Sequence, residues 1–308
     1  MGRIFLLFSA FSLCLSTTSS AFAQDSGLSF LRFGVDVAGM ARGDVGVASE
    51  DGAFSTYWNP AGISAPGPNE VAVSHHVWIA DIRTYVASSK FRLGAKTGVG
   101  LYITATGAGD LEAREEPGEA LGFFDAQFVN AGIALGRIVG PIRVGVTAKY
   151  LSERIFVNSA NGYAFDFGVQ TSLFDGGVLL GAAFQNVGKM ERLNAERTEL
   201  PQILRVGSEI FPFKILAEND GTALLNTSLI VEVSHNSISE STQIHIGFAG
   251  EVLDTVIARV GYISNDALRD YSVGIGLAIA ELSFDYALLP FEEGFGGPAH
   301  IISLSYSY

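Results

Sequence analysis

From about residue 70 onward the chain alternates apolar and polar positions in short runs, the period of a strand with two unlike faces. In 270–279, Tyr271, Val273, Ile275, Leu277 and Ile279 share one side, and Ser272, Gly274, Gly276 and Ala278 the other. In 280–289, Leu282, Phe284, Tyr286 and Leu288 oppose Glu281, Ser283 and Asp285. Ile302, Leu304, Tyr306 and Tyr308 oppose Ser303, Ser305 and Ser307 at the end of the chain. Followed throughout, the pattern predicts fourteen strands: 70–80, 83–93, 96–106, 123–137, 141–155, 162–174, 177–187, 202–212, 223–235, 241–250, 255–263, 270–279, 280–289 and 299–308.

Connection lengths separate a membrane barrel from a soluble sandwich, which alternates as well. Tight turns are expected at Gly94-Ala95, Val139-Gly140, Asp175-Gly176, Leu253-Asp254 and Ala280. Between them fall longer polar stretches: 107–122, 156–161, 188–201, 236–240, 264–269 and 290–298. Short on one side and long on the other is the pattern of an outer-membrane barrel, with its long loops outside the cell. Two connections break it: 212–222 is long on the short side, and the connection near Asp81 is short on the long side.

Mean hydropathy is positive, +0.31, yet no apolar run of helix-spanning length follows the N-terminus. A transmembrane antiparallel β-barrel reconciles the two, because alternation halves the apolar residues per strand while every backbone group stays paired. Residues 1–23 have the form of a cleaved export signal: Arg3, an apolar stretch from Ile4 to Leu15, then Ala21-Phe22-Ala23. The single cysteine, Cys14, lies within it, so the mature chain is expected to form no disulfide. Losing Arg3 takes 19 basic residues to 18 against 32 acidic, net −14, a balance that excludes nucleic acid as a partner.

Residues 24–69 precede the barrel at 70–308 and differ in texture from it. Within 34–64, Gly39, Ala41, Gly43, Gly46 and Ala48 allow close backbone packing. Ser49, Glu50 and Asp51 suit the start of a short helix over 51–57, which Pro60 must end near Trp58. Fourteen strands enclose more space than their own side chains fill. This segment is available to fill it as a plug, with a periplasmic arm as the other placement. As a plug, it would set Asn59 and the backbone near Pro60 against polar groups of the inner wall, and Tyr57 and Trp58 against small lumenal residues.

Gly39-Met40, Glu50-Asp51 and Tyr57-Trp58-Asn59-Pro60-Ala61-Gly62, ahead of repeated β segments, resemble the PorV/PorQ family of outer-membrane proteins. That family is related in fold to the FadL long-chain fatty-acid transporters, whose N-terminal hatch carries an Asn-Pro-Ala motif. Where family members often show Gly-Met-Gly-Gly and Asp-Asp, this chain has Gly39-Met40-Ala41-Arg42-Gly43 and Glu50-Asp51. The resemblance implies an outer-membrane location in a diderm bacterium and a plug inside the lumen.

If one face meets lipid, ionisable groups belong on the other. Lys90, Arg92, Arg143, Lys149, Asp166, Arg205, Glu209, Glu232, His245, Arg259, Glu281 and Asp285 all fall opposite the aliphatic set. They suit an internal charge network, or a polar conduit. A register test follows: Asp at Ile275 should block assembly and Asp at Gly274 should be milder.

No catalytic constellation, metal motif or cofactor fingerprint stands out. His75, His76, His235, His245 and His300 are scattered, and His75 and His76 point to opposite faces of one strand. The acidic stretch Asp110, Glu112, Glu115, Glu116 and Glu119 lacks EF-hand spacing and suits a solvated loop better than a calcium site. The terminal strand, from Ala299 to Tyr308, ends in the aromatic pattern that barrel-assembly machinery recognises. Two non-enzymatic functions follow, the first of them leading. Resemblance to PorV implies a binding or shuttle component of type IX secretion, whose partners are cargo or attachment proteins. A FadL-like transporter would instead pass hydrophobic small molecules through a plugged barrel with a lateral opening.

Overall fold

The computed structural model describes residues 28–49, 51–113, 122–193, 196–216, 225–292, 294 and 296–308. Fourteen strands close into one antiparallel barrel, each paired with the next in sequence. They are β1 (Glu70–Val77), β2 (Arg83–Arg92), β3 (Thr97–Ala113), β4 (Gly122–Val139), β5 (Ile142–Ile155), β6 (Asn158–Leu173) and β7 (Val178–Met190). The second half comprises β8 (Ile203–Ile210), β9 (Leu225–Asn236), β10 (Ser241–Val252), β11 (Val256–Ile263), β12 (Tyr271–Ile279), β13 (Leu282–Leu289) and β14 (Ala299–Ser307). Pairing of β1 with β14, from Glu70 opposite Ser307 to Val77 opposite His300, seals the cylinder. Among the described residues no helix is long and apolar enough to cross a membrane, which says nothing of the strands.

Alternation sorts the side chains as the sequence pattern predicts. Ile246, Phe248, Val260, Val273, Ile275, Leu304 and their neighbours are exposed on the outer face. Ser74, Thr147, Asp166, Arg205, Glu232, His245 and Ser303 are buried on the inner one. The apolar outer belt is what lipid requires.

Strand ends differ from the sequence pattern in an instructive way. β3, β4 and β6 run 17, 18 and 16 residues, whereas β1, β8, β11 and β13 have 8. A tilted strand needs about 9–11 residues to cross the hydrocarbon core, so β3–β6 rise beyond it. Above the belt both faces meet water, alternation fades, and residues such as Gly107, Asn158 and Asn161 resemble loop while remaining paired. The expected loop at 156–161 is consequently a turn of Phe156 and Val157 only. Glu115, Glu116 and Glu119 lie outside the described residues. The irregular connection after β8 begins with a short helix, Pro212–Leu216, where a tight turn is the norm on that side.

The helix expected over 51–57 is displaced: it spans Ser55–Trp58, and no side chain caps it. Residues before it are tied to the wall instead. Glu70 accepts from the Ala53 N–H at 3.1 Å, and the Lys90 ammonium donates to the Asp51 carbonyl. Asp51 is exposed, the Ser49 hydroxyl is buried without a partner, and Glu50 lies outside the described residues, as does the segment 1–23.

Unheated samples in SDS should migrate as a folded barrel and shift on boiling. Ile275→Asp, on the lipid face, should abolish that folded band. Gly274→Asp should keep the band yet loosen the interior, because a side chain at Gly274 would strike Ala41 of the N-terminal segment. The outcome is still the milder of the two, with damage to the interior added by the contact with Ala41. New protease cleavage within 28–64 would reveal the loosening, and identical behaviour of the two variants would refute the assigned faces.

Candidate functional site

Most of the described residues of 28–49 and 53–65 are buried within the cylinder, whereas Asp51 and 66–68 are exposed. The segment forms a turn of 3-10 helix (Ser29–Arg32), a short helix (Val37–Met40), the helix Ser55–Trp58 and a second 3-10 turn (Pro60–Ser64). Val37, Met40, Ala41, Val45, Val47, Trp58, Ala61 and Ile63 are fully buried.

Trp58 is the hub. Its indole N–H donates to Asp36 Oδ1 at 2.6 Å, and the other Asp36 oxygen caps the helix Val37–Met40 by accepting from the Gly39 N–H at 3.0 Å. Burial pushes the Asp36 carboxyl up from its ordinary value, against the pull of those two donors. Gly34, Gly39 and Gly46 pack on the indole so tightly that a methyl on any of them would overlap it. Arg205, on β8, stacks over the same ring at 5.1 Å. The glycines against the indole are thus the plug's own, while Ala72 and Val86 of the wall join the cluster around the aromatic pair.

Wall and plug meet through backbone. Inward-facing Gly98, Gly136, Gly145, Gly168, Gly181, Gly247, Gly261 and Gly274 each sit where a Cβ would overlap plug atoms, from Ile63 and Pro60 on one side to Gly43 and Ala41 on the other. Asn59 uses the resulting closeness. Its amide donates to Val47 O (2.7 Å) within the plug, and to Val169 O (3.1 Å) and Ala182 O (3.2 Å) on the wall, while its oxygen accepts from Ala61 N–H (3.1 Å).

Buried ion pairs add a second tier of stitching. Glu232 on β9 accepts from Gly46 and Val47 N–H at 3.0 and 3.1 Å and from Arg205 at 2.8 Å. Arg42 of the plug meets Glu209 at 3.0 Å, and Asp44 meets Arg269 at 3.4 Å. Lys149 pairs with Asp166, and Arg259 with Asp285 at 2.6 Å, within the wall. His245 Nδ1 contacts Gly43 O at 2.7 Å.

Of the charges expected in the lumen, Lys90, Lys149, Asp166, Arg205, Glu209, Glu232, His245 and Asp285 are buried on the inner face. Arg259 joins them through Asp285. Arg143 is half-buried, and Arg92 turns toward the Gly94-Ala95 turn, donating to Ala95 O at 2.9 Å. Glu281 is different: it sits exposed in the turn before β13, where the strand's alternation has not yet begun. Gly39, Met40 and Tyr57 to Gly62 of the plug motif are buried. Sequence reasoning missed Asp36, Arg42, Asp44 and Arg269. The signal for the first three was ionisable residues among Val35, Val37, Met40 and Val45.

Above this polar seat lies an apolar one, toward the end carrying the longer connections. Leu28 and Leu31 are buried against Leu151, Ala160, Ala164, Met190 and Leu200, with Phe30, Phe128 and Leu193 packed around them. Beside it, pairing of β7 with β8 stops at Gln185 opposite Ile203, although β7 continues to Met190. A bulge at Asn186, φ +63°, marks the parting. The Asn186 amide bridges it, donating to Pro201 O at 2.9 Å. Among the described residues no three His, Cys, Asp or Glu side chains gather for a metal.

No protein-family model and no curated protein sequence matches the chain. Solved structures do. The Ralstonia pickettii toluene transporter TbuX is similar at 13% identity and TM-score 0.60, over 89% of this chain and 98% of its own. The monoaromatic hydrocarbon channel CymD is similar at 12% and 0.63, over 92% and 99%. A Pseudomonas aeruginosa FadL homologue is similar at 12% and 0.53, over 89% and 98%. The chain therefore shares the fold of these barrels.

Glu232→Gln should strip Arg205 of its counter-charge in a buried site, at a cost of about 3–5 kcal/mol. A lowered urea midpoint for release of the plug would register it. An unchanged midpoint would show that Glu232 does not hold the plug.

Proposed function

We propose that the chain is a non-enzymatic outer-membrane channel for hydrophobic small molecules. The observation that carries this is the apolar cradle around Leu28 and Leu31, at the outward end of a lumen that also holds the buried ion pairs of plug and wall. A pocket lined by Leu151, Met190, Leu200 and Phe128 has nothing to offer a sugar or an ion, and suits an apolar solute. The chain fills it with its own leucines, so a solute enters by displacing them. Straight passage is blocked by the ion-paired plug, and the parting of β7 from β8 offers an apolar solute a sideways path.

The similar solved structures include a toluene transporter and a monoaromatic hydrocarbon channel, which supports the same reading. Export to the outer membrane through residues 1–23 and assembly through the terminal strand belong to this proposal. The two functions drawn from the sequence thus change places: no geometric feature among the described residues favours secretion, the leading one there.

Toluene uptake by cells carrying the chain should exceed that of a deletion strain, with the set of secreted proteins unchanged. Met190→Glu, which puts charge into the cradle, should slow uptake at least tenfold while the folded band in SDS persists. Normal uptake alongside lost secretion in the deletion strain would overturn this function in favour of the secretory one.

A further inference from the structure

A large concavity lies on the outer face, where a convex wall is the rule. A hollow of about 1030 Å³ opens toward lipid across β14 and β1–β6. Ligand pockets run to roughly 300–1,000 Å³, so this one is large. Its shape follows from cross-strand rows of outward side chains. One row runs Leu304, Val73, Ala87, Ile103, Ala131, Tyr150. The row beneath runs Tyr306, Val71, Ser89, Leu101, Ile133, Ala148. Methyl-sized residues recur in both, so the surface sinks between the bulky ones. On the far wall the row Phe248, Val260, Val273, Leu288 has no such gap.

We propose that this hollow seats the acyl chains of a phosphate-bearing lipid of the outer leaflet, which stays with the barrel. The hollow is continuous with the lipid-facing belt and its lining is almost wholly apolar, so hydrocarbon is the occupant that reaches it. Its rims fit the ends of a lipid. Tyr150 and Tyr163 stand at the edge nearer the long connections, with the Tyr150 hydroxyl donating to Asn161 Oδ1 at 2.7 Å. The Lys189 ammonium lies 5.7 Å over the Tyr163 ring, exposed and without a carboxylate partner among the described residues. Tyrosines and a free cation at that level match a phosphate headgroup, with the chains running down the hollow toward Tyr306.

The seat lies outside the lumen and does not depend on the transport proposal. Mass spectrometry of the intact barrel, released from membranes in mild detergent, tests it. The parent should carry a lipid mass. Ala131→Phe with Ala148→Phe fills the hollow from the lipid side and should cut lipid occupancy at least fivefold. Lys189→Gln should lower it less. Ala258→Phe, equally bulky and outward on β11 away from the hollow, should leave it unchanged. A parent without lipid, or equal lipid loads in all variants, would overturn the assignment. So would unchanged lipid load with slowed toluene uptake in the filled variant, which would make the hollow a solute path.

Discussion

A cylinder of fourteen strands is too wide to be filled by its own side chains, and the structure depends on how the surplus width is taken up. Backbone does it. Glycine at inward positions of successive strands lets the N-terminal segment lie against the wall at a distance no other residue allows. Close approach then makes direct pairing possible, as when the Asn59 amide reaches carbonyls of β6 and β7 together. Buried peptide groups that would otherwise be orphaned find partners in the process.

Charges inside the barrel follow the same logic. Burying an ion is costly unless its partner and its remaining hydrogen bonds come with it. Arg205 meets those terms with Glu232, Gln185 and the face of Trp58. Because Glu232 also holds Gly46 and Val47, one cluster ties strand to strand and wall to plug. The apolar cradle stands apart from this network, above it, and Leu28 and Leu31 sit there by apolar side-chain packing rather than ion pairing. That contrast between a fixed lower half and an apolar upper half gives the proposed channel its direction.

Strand number and facing were legible because lipid enforces a strict period of two: Tyr271 to Ile279 announce their outward set without help from tertiary context. Strand ends were not, since outside the hydrocarbon the selection for alternation lapses, and Asn158 to Asn161 carry no apolar stripe. In the plug, Pro60 revealed where a helix must stop. The start was hidden, because residues 51–54 are shaped by Lys90 and Glu70, far along the chain. The glycine ring was present in the sequence, yet each member sits in a different strand. Only closure of the barrel lines them up.

The last residue of the chain has a consequence of its own. Tyr308 and Asn69 exchange backbone hydrogen bonds at 2.9 and 3.0 Å, just where the N-terminal segment leaves the lumen. Ser303, on the same terminal strand, accepts from the Val37 N–H inside. The seam that completes the cylinder therefore also clasps its contents: whatever parts the first strand from the last also loosens the stopper.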